Sequence, residues 1–410
     1  MAHTIEELRE FQSYPLQLKI DLTISRIRAW IKEYGEQGCY ISFSGGKDST
    51  VLMDIVRNRM GYNVPAMFVN VPTQFPELKQ FAMTWDNVEI VNPKISFMEV
   101  CDKYGFPLIS KETADCVRGA RKYLHNLESE VETMQKDGQY HYFYEKLTGT
   151  GAYEKKEVNP KVLEEIGGKE LAELMHKDKY KKNGSVARLA NLLGMNTRDN
   201  NYQAKGEITK ADKSKYTQEK WKFFLDADFE ISGRCCSVMK KEPSHQYAKR
   251  TGRKPMTAEM ADESRLRTQQ WLKNGCNGFN MKEPKSTPMS FWTEQDVLAY
   301  IYQYKIPICS VYGDVIIDYD AMGELEGQVV FDDFRQDIKY KTTGCNRTGC
   351  CLCAFGSHLE SKEDARFLML KETHPKMYNL LDIIKNNGVT YREAIEWTNE
   401  HLRDSQKIPL

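Results

Sequence analysis

The 410-residue sequence has no excess charge of either sign: 58 Lys+Arg stand against 58 Asp+Glu. The total therefore makes no case for a nucleic-acid partner, although a zero sum can hide local patches. No apolar run reaches the roughly 20 residues that a membrane helix needs. The opening MAHTIEELRE lacks the basic-then-apolar pattern of a secretory signal. These absences predict a cytoplasmic chain with no membrane partner. Internal repeats and low-complexity tracts are absent too. At 40% hydrophobic and 28% charged residues, the composition excludes a disordered or fibrous chain. It fits two or three globular domains, or one domain with a large insertion.

Cysteine is plentiful, with 11 in the chain. The odd number and the expected reducing compartment argue against disulfides. Six fall into two tight groups, Cys235-Cys236 and Cys345, Cys350, Cys351 and Cys353. Grouped thiols in such a chain point to a metal or iron–sulfur site. Cys39, Cys101, Cys116, Cys276 and Cys309 read as small core residues.

Residues 17–34 read as an amphipathic helix, with Ile20, Ile24, Ile27 and Ile31 on one face and Leu18 and Leu22 on another. Strands are expected at 39–43, 64–71 and 88–91, with helices at 50–60, ended by Gly61, and at 76–85. Strands alternating with helices at this rhythm predict a parallel sheet covered on both faces. From about 123 to 222 the chain turns polar and lysine-rich. This stretch reads as an insertion with a loop at Thr148–Gly151 and a short helix at 186–193, suited to solvent or to an acidic partner. Strands are expected again at 221–231 and 254–260. Thr293–Tyr304 reads as a helix capped by Thr293, with Asp296 at its third position. The expected domains are 1–122 and 223–355 as two parts of a nucleotide-binding domain, 123–222 as the insertion and 356–410 as a helical tail.

Ser44-Gly45-Gly46-Lys47-Asp48-Ser49 follows a strand and opens a helix. Paired glycines allow close backbone approach to a ligand, and N–H groups at a helix start attract an anion. Ser44 and Ser49 add hydroxyl donors, and Lys47 adds a compact positive charge. Asp48 suits a helix cap or a Mg²⁺ ligand. The spacing is not that of the Walker loop. Near the later Glu263 and Ser264, Arg265 and Arg267 offer forks suited to phosphate or sulfate, and Lys240 and Lys241 follow the cysteine pair.

This loop resembles the PP-loop of adenine-nucleotide alpha hydrolases. Phe75-Pro76-Glu77, Ala261-Asp262-Glu263-Ser264-Arg265, and Met289–Thr293 with Asp296-Val297 and Tyr300-Ile301 resemble segments of one branch, the phosphoadenylyl-sulfate reductase family. Two departures bear on adenosine placement and substrate choice. Asn70-Val71-Pro72 stands where the family usually has Asp-Thr-Gly, and Ala258-Glu259-Met260 stands where it commonly has Gly-x-Arg. The resemblance implies an α/β fold: a doubly wound, mostly parallel, Rossmann-like sheet with a helical insertion and a helical C-terminal tail. It implies nucleotide binding by Ser44, Gly45, Gly46, Lys47, Asp48, Ser49, Glu263 and Ser264, and catalytic roles for Lys47, Asp48 and Arg265. ATP or adenylyl sulfate would be bound, with Mg²⁺.

Cys235-Cys236 and Cys350-x-x-Cys353 resemble the ligand set with which adenylyl-sulfate reductases hold a [4Fe-4S] cluster. Adjacent cysteines are awkward for tetrahedral zinc, though zinc remains an alternative. So does a [2Fe-2S] reading on Cys345-x4-Cys350-x2-Cys353. Cys345 and Cys351 are otherwise spare thiols. The expected chemistry is adenylation by ATP followed by sulfur transfer, with a sulfur donor protein as a further partner. The chain also resembles the sulfur-inserting subunit of DNA phosphorothioation systems, which keeps nucleic acid among the acceptors. Sulfonucleotide reduction ranks second, because it uses a cysteine nucleophile in a C-terminal motif and no cysteine follows Cys353. A non-catalytic nucleotide or cluster sensor is the third reading.

Overall fold

The computed structural model describes residues 3–122, 188, 191–192, 218–322, 338–361 and 365–410. The chain divides into two units, Met1–Phe97 with Cys236–Cys351 and Met98–Cys235 with Leu352–Leu410.

The first unit is built on a six-stranded sheet. Numbered along the chain, its strands are β1 (Cys39–Phe43), β2 (Ala66–Val69), β3 (Val88–Val91), β5 (Lys254–Met256), β6 (Asn277–Gly278) and β7 (Lys285–Ser286); β4 (Leu108–Ile109) belongs to the second unit. The order is β3-β2-β1-β5-β7-β6, and every neighbouring pair is parallel except β6 with β7. Cys39, Tyr40, Ile41 and Phe43 of β1 are all buried. A strand covered on both faces is continuously apolar rather than alternating, as a central parallel strand requires. Ile41 pairs with Ala66 on one side and with Met256 on the other. From β1 the chain runs outward to β2 and β3, then returns beyond β1 to β5. β1 therefore borders the point where strand order reverses, and open α/β sheets bind ligands beyond the carboxyl ends of strands at such points. The fold is the mixed α/β, mostly parallel architecture that the sequence led us to expect.

The helix Leu16–Tyr34 buries Ile20, Ile27, Trp30 and Ile31, while Leu18 is 42% exposed. It also buries Lys19, whose ammonium lies 2.7 Å from Asp296. Asp296 in turn accepts the Thr293 N–H at 2.7 Å in the capping box of helix Glu294–Tyr304. Trp292 Nε1 donates to Thr23 Oγ1 at 2.9 Å. The start of that helix is thus capped by its own residues and anchored to helix Leu16–Tyr34 at Lys19 and Thr23. A two-stranded antiparallel ribbon, β8 (Val315–Ile317) with β9 (Tyr340–Thr342), is clamped to the same helix through two hydrogen bonds between Gln295 and the Tyr340 backbone.

In the second unit β4 pairs in parallel with β10 (Ala354–Phe355). Tyr391, at the start of helix Tyr391–Glu400, stacks on Phe106 at 4.7 Å. Its phenol accepts the Ala354 N–H. The tail is helical at Arg366–Thr373 and Tyr391–Glu400, and it also carries a small antiparallel pair, β11 (Lys385–Asn386) with β12 (Val389–Thr390). The strand expected at 221–231 is instead a 3-10 helix, Glu219–Asp226, followed by an isolated bridge at Ile231. Trp221 and Phe224, three apart, are both buried. Their packing follows helical spacing, and tertiary packing of this kind overrides the strand propensity of aromatic residues. The strand expected at 254–260 stops at Met256. The loop expected at Thr148–Gly151 and most of the helix expected at 186–193 lie outside the described residues.

Candidate functional site

The Ser44–Ser49 loop joins the end of β1 to helix Lys47–Asp54. Gly45 adopts φ 72°. A Cβ there would lie 3.0 Å from the Leu78 carbonyl oxygen. The position therefore demands glycine both for its backbone conformation and for the close approach of helix Pro76–Ala82. That helix begins at the Phe-Pro-Glu segment, with Pro76 in the first turn where its missing N–H is no loss.

Inside the loop the Ser44 N–H donates to Ser49 Oγ at 3.2 Å and the Gly46 N–H to Ser44 Oγ at 3.3 Å. Ser49 Oγ and Thr50 Oγ1 donate back to the Gly46 carbonyl at 2.9 and 3.0 Å. The Lys47 N–H donates to the Tyr312 phenol at 3.2 Å, and that oxygen lies 2.6 Å from Thr348 Oγ1. Burial pushes the Tyr312 phenol up to about 12, so it is neutral at physiological pH.

Lys47 is 4% exposed. Its ammonium is 2.9 Å from Glu294 Oε1, donates to the Asn346 carbonyl at 3.2 Å, and lies 3.7 Å from Asp48 Oδ1. Burial works to lower its pKa, but Asp48, Tyr312 and Glu294 outweigh it and the net direction is up. The lysine therefore keeps its charge despite its enclosure. Asp48 moves the other way for a carboxylate. Burial raises its pKa and Glu294 adds to that, against Lys47, Arg347 and Arg267. Its Oδ1 is enclosed and has no hydrogen-bond partner among the described residues.

The third motif opens helix Arg265–Asn274. Glu263 accepts the Met260 N–H at 2.9 Å and pairs with Arg267. Ser264 caps helix Arg265–Asn274 by accepting the Arg267 N–H at 3.4 Å. Arg265 is exposed at the first turn. Arg267 and Arg347 are the arginines whose charge is felt at Asp48. Glu294, Tyr312, Asn346, Arg347 and Thr348 were not singled out by the sequence. Glu294 sits next to the Trp292-Thr293 segment that was, but nothing local in 346–348 marks those residues.

None of the 11 cysteines forms a disulfide. Cys236 and Cys350 belong to the first unit, Cys235 and Cys353 to the second. Within the second unit, Cys353, Cys101 and Cys235 all lie close enough to Tyr391 to raise its pKa, after burial, which is the main cause. Cys101 is fully buried. Among the described residues no three His, Cys, Asp or Glu side chains are gathered as a metal site. The thiolate donors suit an iron–sulfur cluster chemically, and the four cysteines that the sequence implies as its ligands are shared between the two units. Of the spare thiols, Cys345 is pushed up to about 11 by burial and by nearby Cys309, against Lys47. Cys351 is buried and donates to the Thr73 carbonyl at 2.9 Å. No described helix is long and apolar enough to cross a membrane.

Residues 38–142 and 186–354, more than half of the chain, match the family described as phosphoadenosine phosphosulfate reductase domain. No curated protein matches the chain.

Proposed function

The chain belongs to the phosphoadenosine phosphosulfate reductase domain family, a PP-loop enzyme family, and from that premise we propose that Ser44–Ser49 holds the phosphates of an adenine nucleotide. The observation that carries the reading is Lys47, a charged ammonium enclosed at the first turn of the helix that follows a two-glycine loop. Enclosing a cation costs several kcal/mol unless it is paired, and an anion-binding role gives that enclosure a purpose. The hydroxyls of Ser44, Ser49 and Tyr312 that now receive the loop's N–H groups are acceptors a phosphate oxygen can replace. Asp48, whose enclosed Oδ1 has no hydrogen-bond partner among the described residues, fits a Mg²⁺ ligand. Mg²⁺ bound there would neutralise charge on the departing pyrophosphate. Glu263, Ser264 and Arg265 would complete the nucleotide contacts.

We read the reaction as adenylation. An oxygen of the acceptor attacks the α-phosphorus of ATP, and the bond to the bridging β-phosphate oxygen breaks. Pyrophosphate leaves with the electron pair while the loop and Lys47 stabilise its charge. A sulfur nucleophile from a donor then displaces AMP. The test is α-labelled ATP incubated with Mg²⁺ and small-molecule, tRNA or DNA acceptors. AMP and pyrophosphate are expected. ADP and phosphate would contradict the reading, and sulfite released from adenylyl sulfate would make the protein a sulfonucleotide reductase.

We also propose a [4Fe-4S] cluster on Cys235, Cys236, Cys350 and Cys353, which would supply redox or sulfur chemistry. Anaerobic protein should be brown with about four irons per chain. Iron should be lost on Cys236→Ser and kept on Cys276→Ser. A colourless protein with one zinc would overturn the cluster.

A further inference from the structure

Lys47 Nζ donates to the Asn346 carbonyl at 3.2 Å and pairs with Glu294 Oε1 at 2.9 Å, while Asp48 Oδ1 lies at 3.7 Å, beyond hydrogen-bond reach. A phosphate drawn to this ammonium meets these three groups around it. The Asn346 oxygen belongs to the backbone. The Asp48 side chain is 29% exposed, and its Oδ1 is enclosed. The Glu294 side chain is 43% exposed and makes the shortest of the three contacts. It is the partner that combines a full charge with freedom to turn into solvent.

Its helix is not free to follow. Thr293 and Asp296 close a capping box, Lys19 holds Asp296 at 2.7 Å, and Trp292 is bonded to Thr23. Further along, Tyr300 donates to Asp54 Oδ2 at 2.5 Å, tying the helix to the one that begins at Lys47. The Glu294 backbone is therefore fixed relative to the loop, and the change on anion binding falls on the Glu294 side chain.

We propose that Glu294 is a positioning residue that competes with phosphate for Lys47, its carboxylate holding the ammonium that the anion would take. The inference rests on the reading of Ser44–Ser49 as a phosphate loop. Two physical consequences follow. The carboxylate keeps the buried ammonium paired while the site is empty, which avoids the penalty of an uncompensated buried charge. It also opposes the incoming anion, first by occupying the ammonium and then by like-charge repulsion once displaced.

The competition predicts a gain of affinity on removing the charge, which a merely structural role would not produce. Pyrophosphate and ATP would each be titrated calorimetrically into the full-length wild type, Glu294→Gln, Glu294→Asp and Lys47→Ala, in low salt with EDTA. Glu294→Gln should tighten pyrophosphate and ATP by about threefold to tenfold, the range of a partly exposed ion pair. Glu294→Asp, which keeps the charge on a shorter arm, should fall between, and Lys47→Ala should lose binding. If Glu294→Gln does not fold, as judged by its melting curve, Glu294→Ala takes its place. Equal or weaker binding by the folded, charge-free variant would overturn the competition and leave the phosphate loop standing. So would a loss of affinity seen only after Mg²⁺ is added, which would make Glu294 a metal ligand. Failure of the wild type and every variant to bind pyrophosphate or ATP would sink the phosphate-loop reading and this proposal with it.

Discussion

Asp48 stands on the conflict between stability and function within the loop. Burial and the neighbouring Glu294 raise its pKa against Lys47, Arg347 and Arg267. A carboxyl whose pKa is raised by folding contributes stability below its ordinary value and loses that contribution as pH rises through the folded value. Once ionised, its charge therefore opposes folding. Asp48→Asn should raise the melting temperature at pH 7 by the equivalent of about 1 kcal/mol, with the advantage shrinking as pH falls into the carboxylate range, while Mg²⁺-dependent nucleotide binding weakens. A melting temperature that is unchanged or lower at pH 7 would contradict this. The sequence made Asp48 and Lys47 legible because six contiguous residues carry the loop. It did not reveal their partners. Tyr312 and Asn346 lie 265 and 299 residues downstream of Lys47, and only the folded chain brings them together.

Between the loop helix and the Trp-Thr helix the linkage is built from secondary structure. The sequence predicts one helix over 50–60. In the structure the helix starts at Lys47 and widens into a π turn at Ile55–Arg59 before Gly61 ends it. Such turns recur at functional sites. Here the widened turn carries Arg59, whose Nε donates to the Tyr300 phenol at 2.5 Å and whose guanidinium lies 3.8 Å from the Tyr304 ring centre. Tyr300 passes its own hydrogen to buried Asp54, which also accepts from Asn58 at 2.7 Å. Tyr300→Phe would leave both Asp54 and Arg59 short of a partner. Denaturant unfolding should show a loss of about 1–3 kcal/mol, the penalty of unsatisfied buried groups; a loss under about 0.5 kcal/mol would mean the network carries no load. The capped helix at Thr293 was legible because capping is a local rule. The π turn was not, because Arg59 is drawn out by a partner 241 residues away. The 3-10 helix at Glu219–Asp226 escaped for a related reason, since its aromatics have strand propensity and helical packing.

At the scale of the molecule, strand order β3-β2-β1-β5-β7-β6 puts β1 beside the reversal and the loop at its carboxyl end. The alternation of strands and helices in the first 91 residues was enough to anticipate a parallel sheet, because buried parallel strands are short continuous apolar runs such as Cys39–Phe43. The acceptor of the reaction was not legible. Acceptor recognition depends on surfaces for which neither periodicity nor a motif gives a rule, and the lysine-rich stretch 123–222 lies almost wholly outside the described residues. The account as a whole depends on Lys47 being an anion-binding lysine at a nucleotide loop. Calorimetric titration of ATP with Mg²⁺ into wild type and Lys47→Ala tests that most directly. The account predicts binding by the wild type and a loss of about 1.5–3 kcal/mol in the variant, the worth of a charge-assisted contact, with the far-ultraviolet circular dichroism spectrum unchanged. Equal affinity in the two proteins would contradict it.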